Sequence, residues 1–290
     1  MDFNNITDVR GMFYNCYNFN SFNFDLSNLS NCDSMFRYCT GLTSFTTTNL
    51  NNLTSAVGMF VAVPFTSWTM PLPKLQDGTG MFYECTKLTS FDADLSTLTK
   101  AGGVSSILGF GLGNMGMFSR CTALTSFTSN LTNLSEADFM FYGCTALTSF
   151  NTSLPNLTGG AAMFWNCTKL ASWNQPLPKL TRGSYQVYGF GFLGLSSEYI
   201  GMFYGCTALT SFTGDLSSLT SARSMFAHCY NLTSFNSSLS KITDGTDMFI
   251  NCKLNAASVK NIINSLPSTS GKTISIGIGS TSANADSFAS

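Results

Sequence analysis

Ten cysteines are the residues best placed, by type, to do chemistry in this 290-residue sequence. A thiolate can pair as a disulfide, bind zinc or act as a nucleophile. The spacing argues otherwise. Nine of them (Cys16, Cys39, Cys85, Cys121, Cys144, Cys167, Cys206, Cys229 and Cys252) follow a methionine by four residues. One such cysteine per stacked repeat makes a ladder whose sulfurs could approach disulfide distance, but nine cannot pair evenly. Val63 takes the same place in the third repeat, so an apolar side chain suffices there. The nine are read as buried, reduced thiols, because free cysteine is among the most buried residue types. Cys32 lies outside the register and is the candidate for an exposed, reactive thiol.

Other chemistries find less support. His228 is the sole histidine and no Cys-x-x-Cys occurs, so a zinc site is not expected. One histidine and no Gly-x-Ser-x-Gly give no basis for a hydrolytic triad. The fifteen carboxylates are scattered, and GFGLGN and YGFGFLG are too weak to read as phosphate loops. No cofactor and no enzymatic activity are expected. A net charge of -1 offers no basic field for nucleic acid. No run of eighteen apolar residues is present, so membrane insertion is not expected either.

The elements that position these cysteines belong to a repeat. Met-Phe recurs at Met12, Met35, Met59, Met81, Met117, Met140, Met163, Met202, Met225 and Met248. Most intervals are 22 to 24 residues, with 36 between Met81 and Met117 and 39 between Met163 and Met202. Counting from Met, Phe follows at +1, Cys at +4, Leu at +7, an aromatic at +10, and leucines near +14 and +17. Seven apolar anchors in 23 residues are too many for a loop and too irregular for one helix or strand. A coil that turns them inward and stacks on identical neighbours satisfies them all. Leu-Thr-Ser-Phe is the expected strand, pairing in parallel with copies about 4.8 Å away, in a rod on the order of 50 Å long. Met-Phe-Tyr-x-Cys is expected to form a tight turn. The fold class is a mainly β repeat solenoid of about ten coils, over residues 1 to 254.

Met-Phe-Tyr-Gly-Cys-Thr-Ala-Leu-Thr-Ser-Phe at 140–150 resembles the BspA-like leucine-rich repeats of bacterial surface proteins. The likeness runs from residue 3 to about 254. It implies a curved solenoid with a parallel sheet, found on bacterial surfaces, in some protists and in phage proteins. It implies adhesion or ligand binding, and carries no shared catalytic residues.

The repeat breaks in three places. Residues 255–290 read as a C-terminal cap and polar tail. There Asn255 caps a helix over 256–266, with Val259, Ile262, Ile263 and Leu266 on one stripe, and a strand follows over 273–279. Phe3 and Ile6 fall on the +14 and +17 positions of a preceding repeat. Together with Phe13 they are expected to dock another chain or an upstream domain, since an open coil exposes strand edges. The insertions at 101–116 and 182–199 are rich in glycine and large apolar residues, and both leave after the +17 leucine. Ile107, Leu108, Phe110 and Leu112 in the first, and Tyr188, Phe190, Phe192 and Leu193 in the second, are candidate binding residues. The same loops could instead fold back over the coils.

The functional expectation is a surface recognition or adhesion module, on a bacterium or on a phage that contacts one. It would bind a protein or a cell-surface glycan, at the extracellular surface or on a virion. The alternative is a structural virion or assembly component (fibre, decoration or tail) docking through its N-terminal coil. The opening MDFNNITDVRGMF shows neither a basic nor an apolar leader region, so no signal peptide is read there.

Overall fold

A computed structural model of the chain describes residues 6, 8–105, 112–188 and 197–268. They belong to two compact units, Met1–Ser153 and Leu154–Ser290. The first contains β1 (Ser21–Phe22), β2 (Ser44–Phe45), β3 (Ser67–Trp68) and β4 (Ser90–Phe91). It continues with β5 (Gly102–Ser105), β6 (Leu112–Gly116), β7 (Ser126–Phe127) and β8 (Ser149–Phe150). The second contains β9 (Ser172–Trp173), β10 (Ser184–Tyr188), β11 (Ser197–Gly201), β12 (Ser211–Phe212), β13 (Ser234–Phe235) and the helix α1 (Ala256–Ser265).

The expected strand is present, but only its Ser-aromatic pair is extended enough to bridge. Pairing is parallel and in register, serine on serine and aromatic on aromatic, in β1–β2, β3–β4, β7–β8 and β9–β12–β13. The two residues point to opposite faces. The aromatic turns inward and the serine faces out in most copies. A second parallel ladder of single bridges runs Asn31, Ser55, Asp77, Lys100, Glu136 in the first unit. Its counterpart in the second unit runs Gly159, Arg182, Ser221, Asp244.

The Met-Phe segment forms a third ladder, by an unusual backbone. Residues just before Met and three after it take left-handed φ values, among them Ser34 (56°), Tyr38 (60°), Glu84 (60°), Arg120 (60°), Ser224 (52°) and His228 (61°). Such φ is costly for a residue with a Cβ. What it gains is a division of amide groups. Met12, Tyr14 and Cys16 donate within their own turn, to Val9, Gly11 and Phe13 carbonyls. Gly11, Phe13 and Asn15 donate instead to Asp33, Met35 and Arg37 of the next repeat. In the second unit Ser224, Phe226 and His228 likewise reach Thr246, Met248 and Ile250. In these segments alternate N–H groups thereby join neighbouring repeats.

Two columns of rings fill the core. The +1 phenylalanines stack face to face, as Phe36–Phe60 (5.6 Å), Phe82–Phe118 (5.7 Å) and Phe118–Phe141 (5.5 Å) in the first unit. Phe164–Phe203 (5.5 Å) and Phe203–Phe226 (5.3 Å) repeat this in the second. The +10 aromatics form the other column and meet the first edge-on, as Phe118–Phe127 does at 5.4 Å and 62°. These are the offset and T-shaped geometries that ring quadrupoles favour.

The two long intervals contain antiparallel hairpins, β5–β6 and β10–β11. A Cβ on Gly116 would collide with the Phe139 carbonyl, and one on Gly201 with the Ser224 carbonyl and Met225 Cα. Glycine is required at both sites because the hairpin base lies directly on the next repeat's backbone. At the C-terminal side α1 takes the place of a further strand. The Ser258 hydroxyl accepts from the Phe235 amide at 2.9 Å and donates to the Thr233 carbonyl, covering the free edge of β13. Asn255 caps α1 by accepting from Ser258 N at 2.9 Å, as its sequence position predicts. Of the expected apolar stripe, Val259 and Ile262 are buried, but Ile263 at its edge is 49% exposed. The strand read at 273–279 lies outside the described residues.

Because Phe118 is held by the +1 rings of both neighbours, Phe82 and Phe141, truncating it opens a cavity that its own repeat cannot close. Phe118→Ala should cost about 3–5 kcal/mol. Urea unfolding followed by circular dichroism checks this, and a loss below about 1 kcal/mol contradicts the two-column core.

Candidate binding surface

The turn that carries Met-Phe inward brings some +2 and +3 side chains to the surface, although Arg37, Val61, Ser119, Trp165 and Ala227 at +2 are buried. Tyrosine recurs there, at Tyr14, Tyr38, Tyr83 and Tyr142 in the first unit and Tyr204 in the second. All five are half-buried, held by their neighbours while presenting part of the ring. In the first unit Arg120 lies 6.0 Å from the Tyr83 ring and 5.6 Å from the Tyr142 ring, and its Nη1 donates to Glu84 Oε1 at 2.8 Å. Burial, with the Glu84 charge adding to it, pushes the Tyr83 hydroxyl up to about 12, so it stays a hydrogen-bond donor. Arg37, 4% exposed, lies 4.7 Å over the Tyr38 ring and donates to its hydroxyl. Met115 of β6 packs on Val61, Tyr38 and Tyr83, so the hairpin base folds back onto this face.

In the second unit the same face opens into a cleft of about 310 Å³ beside β11, lined in part by Tyr199, Tyr204, Arg223, His228, Thr246 and Asp247. Arg223 lies 4.2 Å over the Tyr199 ring and is ion-paired with Asp244. His228 Nδ1 is within 3.0 Å of the Tyr230 hydroxyl and 3.1 Å of Asn251 Nδ2. Among the described residues no three of His, Cys, Asp and Glu gather as a metal site would require. No helix among them is long and apolar enough to cross a membrane.

The cysteines prove to be framework with a specific task. All ten are free thiols. Seven in-register thiols donate to the +1 phenylalanine carbonyl of the preceding repeat, among them Cys39 to Phe13 (3.0 Å), Cys85 to Phe60 (3.2 Å), Cys121 to Phe82 (3.2 Å) and Cys144 to Phe118 (3.1 Å). Cys206, Cys229 and Cys252 do the same to Phe164, Phe203 and Phe226. Burial pushes the Cys39 thiol up to about 11 and the Cys85 and Cys144 thiols further still. Cys32 is corrected. It is fully buried, and burial lifts its thiol to about 12. It precedes Met35 by three residues and its carbonyl accepts from the Met35 amide, so its side chain packs into the core. Cys16 is the half-buried thiol instead.

Of the candidate binding residues, Ile107, Leu108, Phe110, Phe190, Phe192 and Leu193 lie outside the described residues, as does Phe3. Leu112 stands opposite Ser105 in the first hairpin and Tyr188 opposite Ser197 in the second. Ile6 is half-buried. Phe13, also half-buried, packs beside Phe19 (4.9 Å) and Phe36 (5.4 Å). The tyrosine face was visible in the sequence as Met-Phe-Tyr at Tyr14, Tyr83, Tyr142 and Tyr204, but reading that segment only as a turn hid it.

A family model described as the BspA type leucine rich repeat region matches residues 7–103, 114–188 and 194–272, in six copies. No curated protein matches the chain. Among solved structures, a leucine-rich repeat protein from Bacteroides ovatus aligns with TM-score 0.44 at 16% identity, covering 86% of this chain and 75% of that one. One from Eubacterium ventriosum gives 0.40, again at 16% identity and with coverages of 86% and 75%. A leucine rich cell surface protein from Faecalibacterium prausnitzii gives 0.26 at 14% identity, with coverages of 79% and 76%.

Raised thiol values set a direction for pH dependence. The folded chain favours the protonated thiol, so its contribution is whole below the ordinary value of 9.0 and is lost as pH rises toward 11 for Cys39 and 12 for Cys32. Melting temperature should therefore fall above about pH 9, and less steeply in a Cys32→Ala, Cys39→Ala variant. Brief iodoacetamide treatment of the native chain, read by mass spectrometry, should modify Cys16 and spare Cys32. Rapid labelling of Cys32 contradicts its burial.

Proposed function

The chain belongs to the BspA-type leucine-rich repeat family, and from that premise we propose that it is a non-enzymatic recognition module binding a protein or glycan partner at an extracellular surface. In this reading the repeats form a ten-coil solenoid, the hairpins are insertions beside the binding face, and α1 caps the last coil. The observation that carries it is the half-buried tyrosine row at +2 and +3 with the charged residues beside it. Met, Phe and Cys are needed for stacking. Nothing in stacking requires Tyr83, Glu84, Arg120 and Tyr142 to form one contiguous aromatic and charged cluster. Tyrosine and arginine are the residue types that dominate binding energy at protein interfaces. The strand face is a weaker candidate, because its hydroxyls are already used. Thr89 donates to the Thr66 carbonyl at 2.9 Å, Thr148 to Thr125 and Thr233 to Thr210.

Exposed Met12 (38%) and Tyr17 (57%) beside half-buried Phe13 support a second surface, where another chain would dock. Sedimentation that finds a monomer at high concentration removes it.

The main reading is tested with fluorescently labelled full-length chain on bacterial and host cells and on protein and glycan arrays. Tyr83→Ala and Arg120→Ala should each weaken the binding found to a protein partner by about ten-fold or more, in keeping with aromatic and arginine anchors. Binding that survives both substitutions, and also truncation of both hairpins, contradicts this face as the site.

A further inference from the structure

We propose that the cleft beside β11 in the second unit is a binding site for a neutral saccharide. The inference rests on the recognition reading above and gives it a place and a ligand class. At about 310 Å³ the cleft is at the small end of ligand sites, which run to about 1,000 Å³. That is room for a short sugar chain rather than a folded partner.

The lining has the two components a sugar needs. A pyranose offers a face of C–H groups, which packs on the electron-rich face of an aromatic ring, and a rim of hydroxyls, which need donors and acceptors at fixed points. Tyr204 supplies a half-buried ring, braced edge-on by Trp165 at 6.2 Å and flanked by His228 at 5.0 Å. The polar groups are held in place before any ligand arrives. The Tyr199 hydroxyl donates to Gln186 Oε1 at 3.1 Å. Arg223 is fixed by Asp244 and by the Tyr199 ring. His228 Nδ1 lies within hydrogen-bond distance of the Tyr230 hydroxyl and Asn251 Nδ2 and pairs with one of them, leaving Nε2 as the ring nitrogen not engaged by them. Groups already ordered lose little freedom on binding.

Charge selects the class of sugar. The Arg223 cation is already matched by Asp244, and Asp247 is exposed and acidic. No uncompensated cation lines the cleft to attract a carboxylate, sulfate or phosphate. A peptide would want apolar pockets, and the aliphatic lining is only Ala227 and Ile250. The repeat itself does not ask for this composition. His228 is the only histidine in the chain, at a position where other repeats have Asn15, Tyr38, Ala62, Gly143 or Gly205.

That single histidine also supplies the measurement. Full-length chain carrying ¹³C-labelled histidine is screened on an array of short neutral and acidic oligosaccharides, then titrated with the best neutral binder while the His228 ring resonance is followed. The resonance should move and saturate with the binding curve. Tyr204→Ala should weaken binding at least ten-fold. Asp247→Asn, an exposed change that leaves folding intact, should weaken it about ten-fold by removing a charge-assisted hydrogen bond. Tyr83→Ala, in the other unit, should leave saccharide binding unchanged. Saccharide binding with a static His228 signal, or unaffected by Tyr204→Ala and Asp247→Asn, overturns the cleft while the recognition reading stands. A preference for acidic sugars, or binding to proteins with no saccharide bound, overturns the ligand class. A chain that binds nothing on cells or arrays fails both readings.

Discussion

A phenylalanine ring with a neighbour's ring on each face cannot be buried by its own repeat. Phe118 has Phe82 at 5.7 Å on one side and Phe141 at 5.5 Å on the other. Twenty-odd residues with seven apolar anchors make a layer, not a core, and only the next layer completes it. The other features of the repeat hold layers at that spacing. The left-handed residues around Met aim alternate amides at the neighbour, and the two-residue strands pair serine on serine. The hydroxyl of Thr89 and its counterparts reach back to the previous repeat's carbonyl.

The thiol column belongs to the same scheme. A side chain at +4 must be small, apolar enough for the core, and able to serve the +1 carbonyl of the repeat before. Cysteine meets all three conditions, and the weak S–H donor suits a site already receiving the Cys amide, as at Phe13. Val63 satisfies only the first two and is tolerated at one place. Buried thiols with values pushed upward are poor nucleophiles, so the residues that first suggest chemistry are the ones least available for it.

Function is consequently expected where the repeat leaves freedom. The +2 and +3 side chains are such a place: tyrosines there (Tyr14, Tyr38, Tyr83, Tyr142) present part of their rings, while Arg37, Val61 and Ser119 at +2 are buried without disturbing the stack. A rigid backbone with variable side chains is a good platform for recognition, because it presents groups already in position. The hairpins add to the same face, Met115 by packing on Tyr38 and Tyr83, Tyr199 by packing under Arg223.

The sequence by itself determined the repeat, its period, the inward positions, the Ser-aromatic strand, the Asn255 helix cap and the burial of the in-register cysteines other than Cys16. Those are local and periodic properties: each follows from side-chain type at a fixed offset, repeated until chance is excluded. Only tertiary structure decided the rest. Cys32 looked exposed because it lies off the register, yet neighbouring repeats enclose it. Ile263 looked buried because it lies on an apolar stripe, yet packing covers that stripe only around Val259 and Ile262. The Tyr83–Glu84–Arg120–Tyr142 cluster and the Tyr199–Tyr204–Arg223–His228 cleft join residues from different repeats. Their meeting depends on how one layer sits on another, a distance that no single repeat encodes.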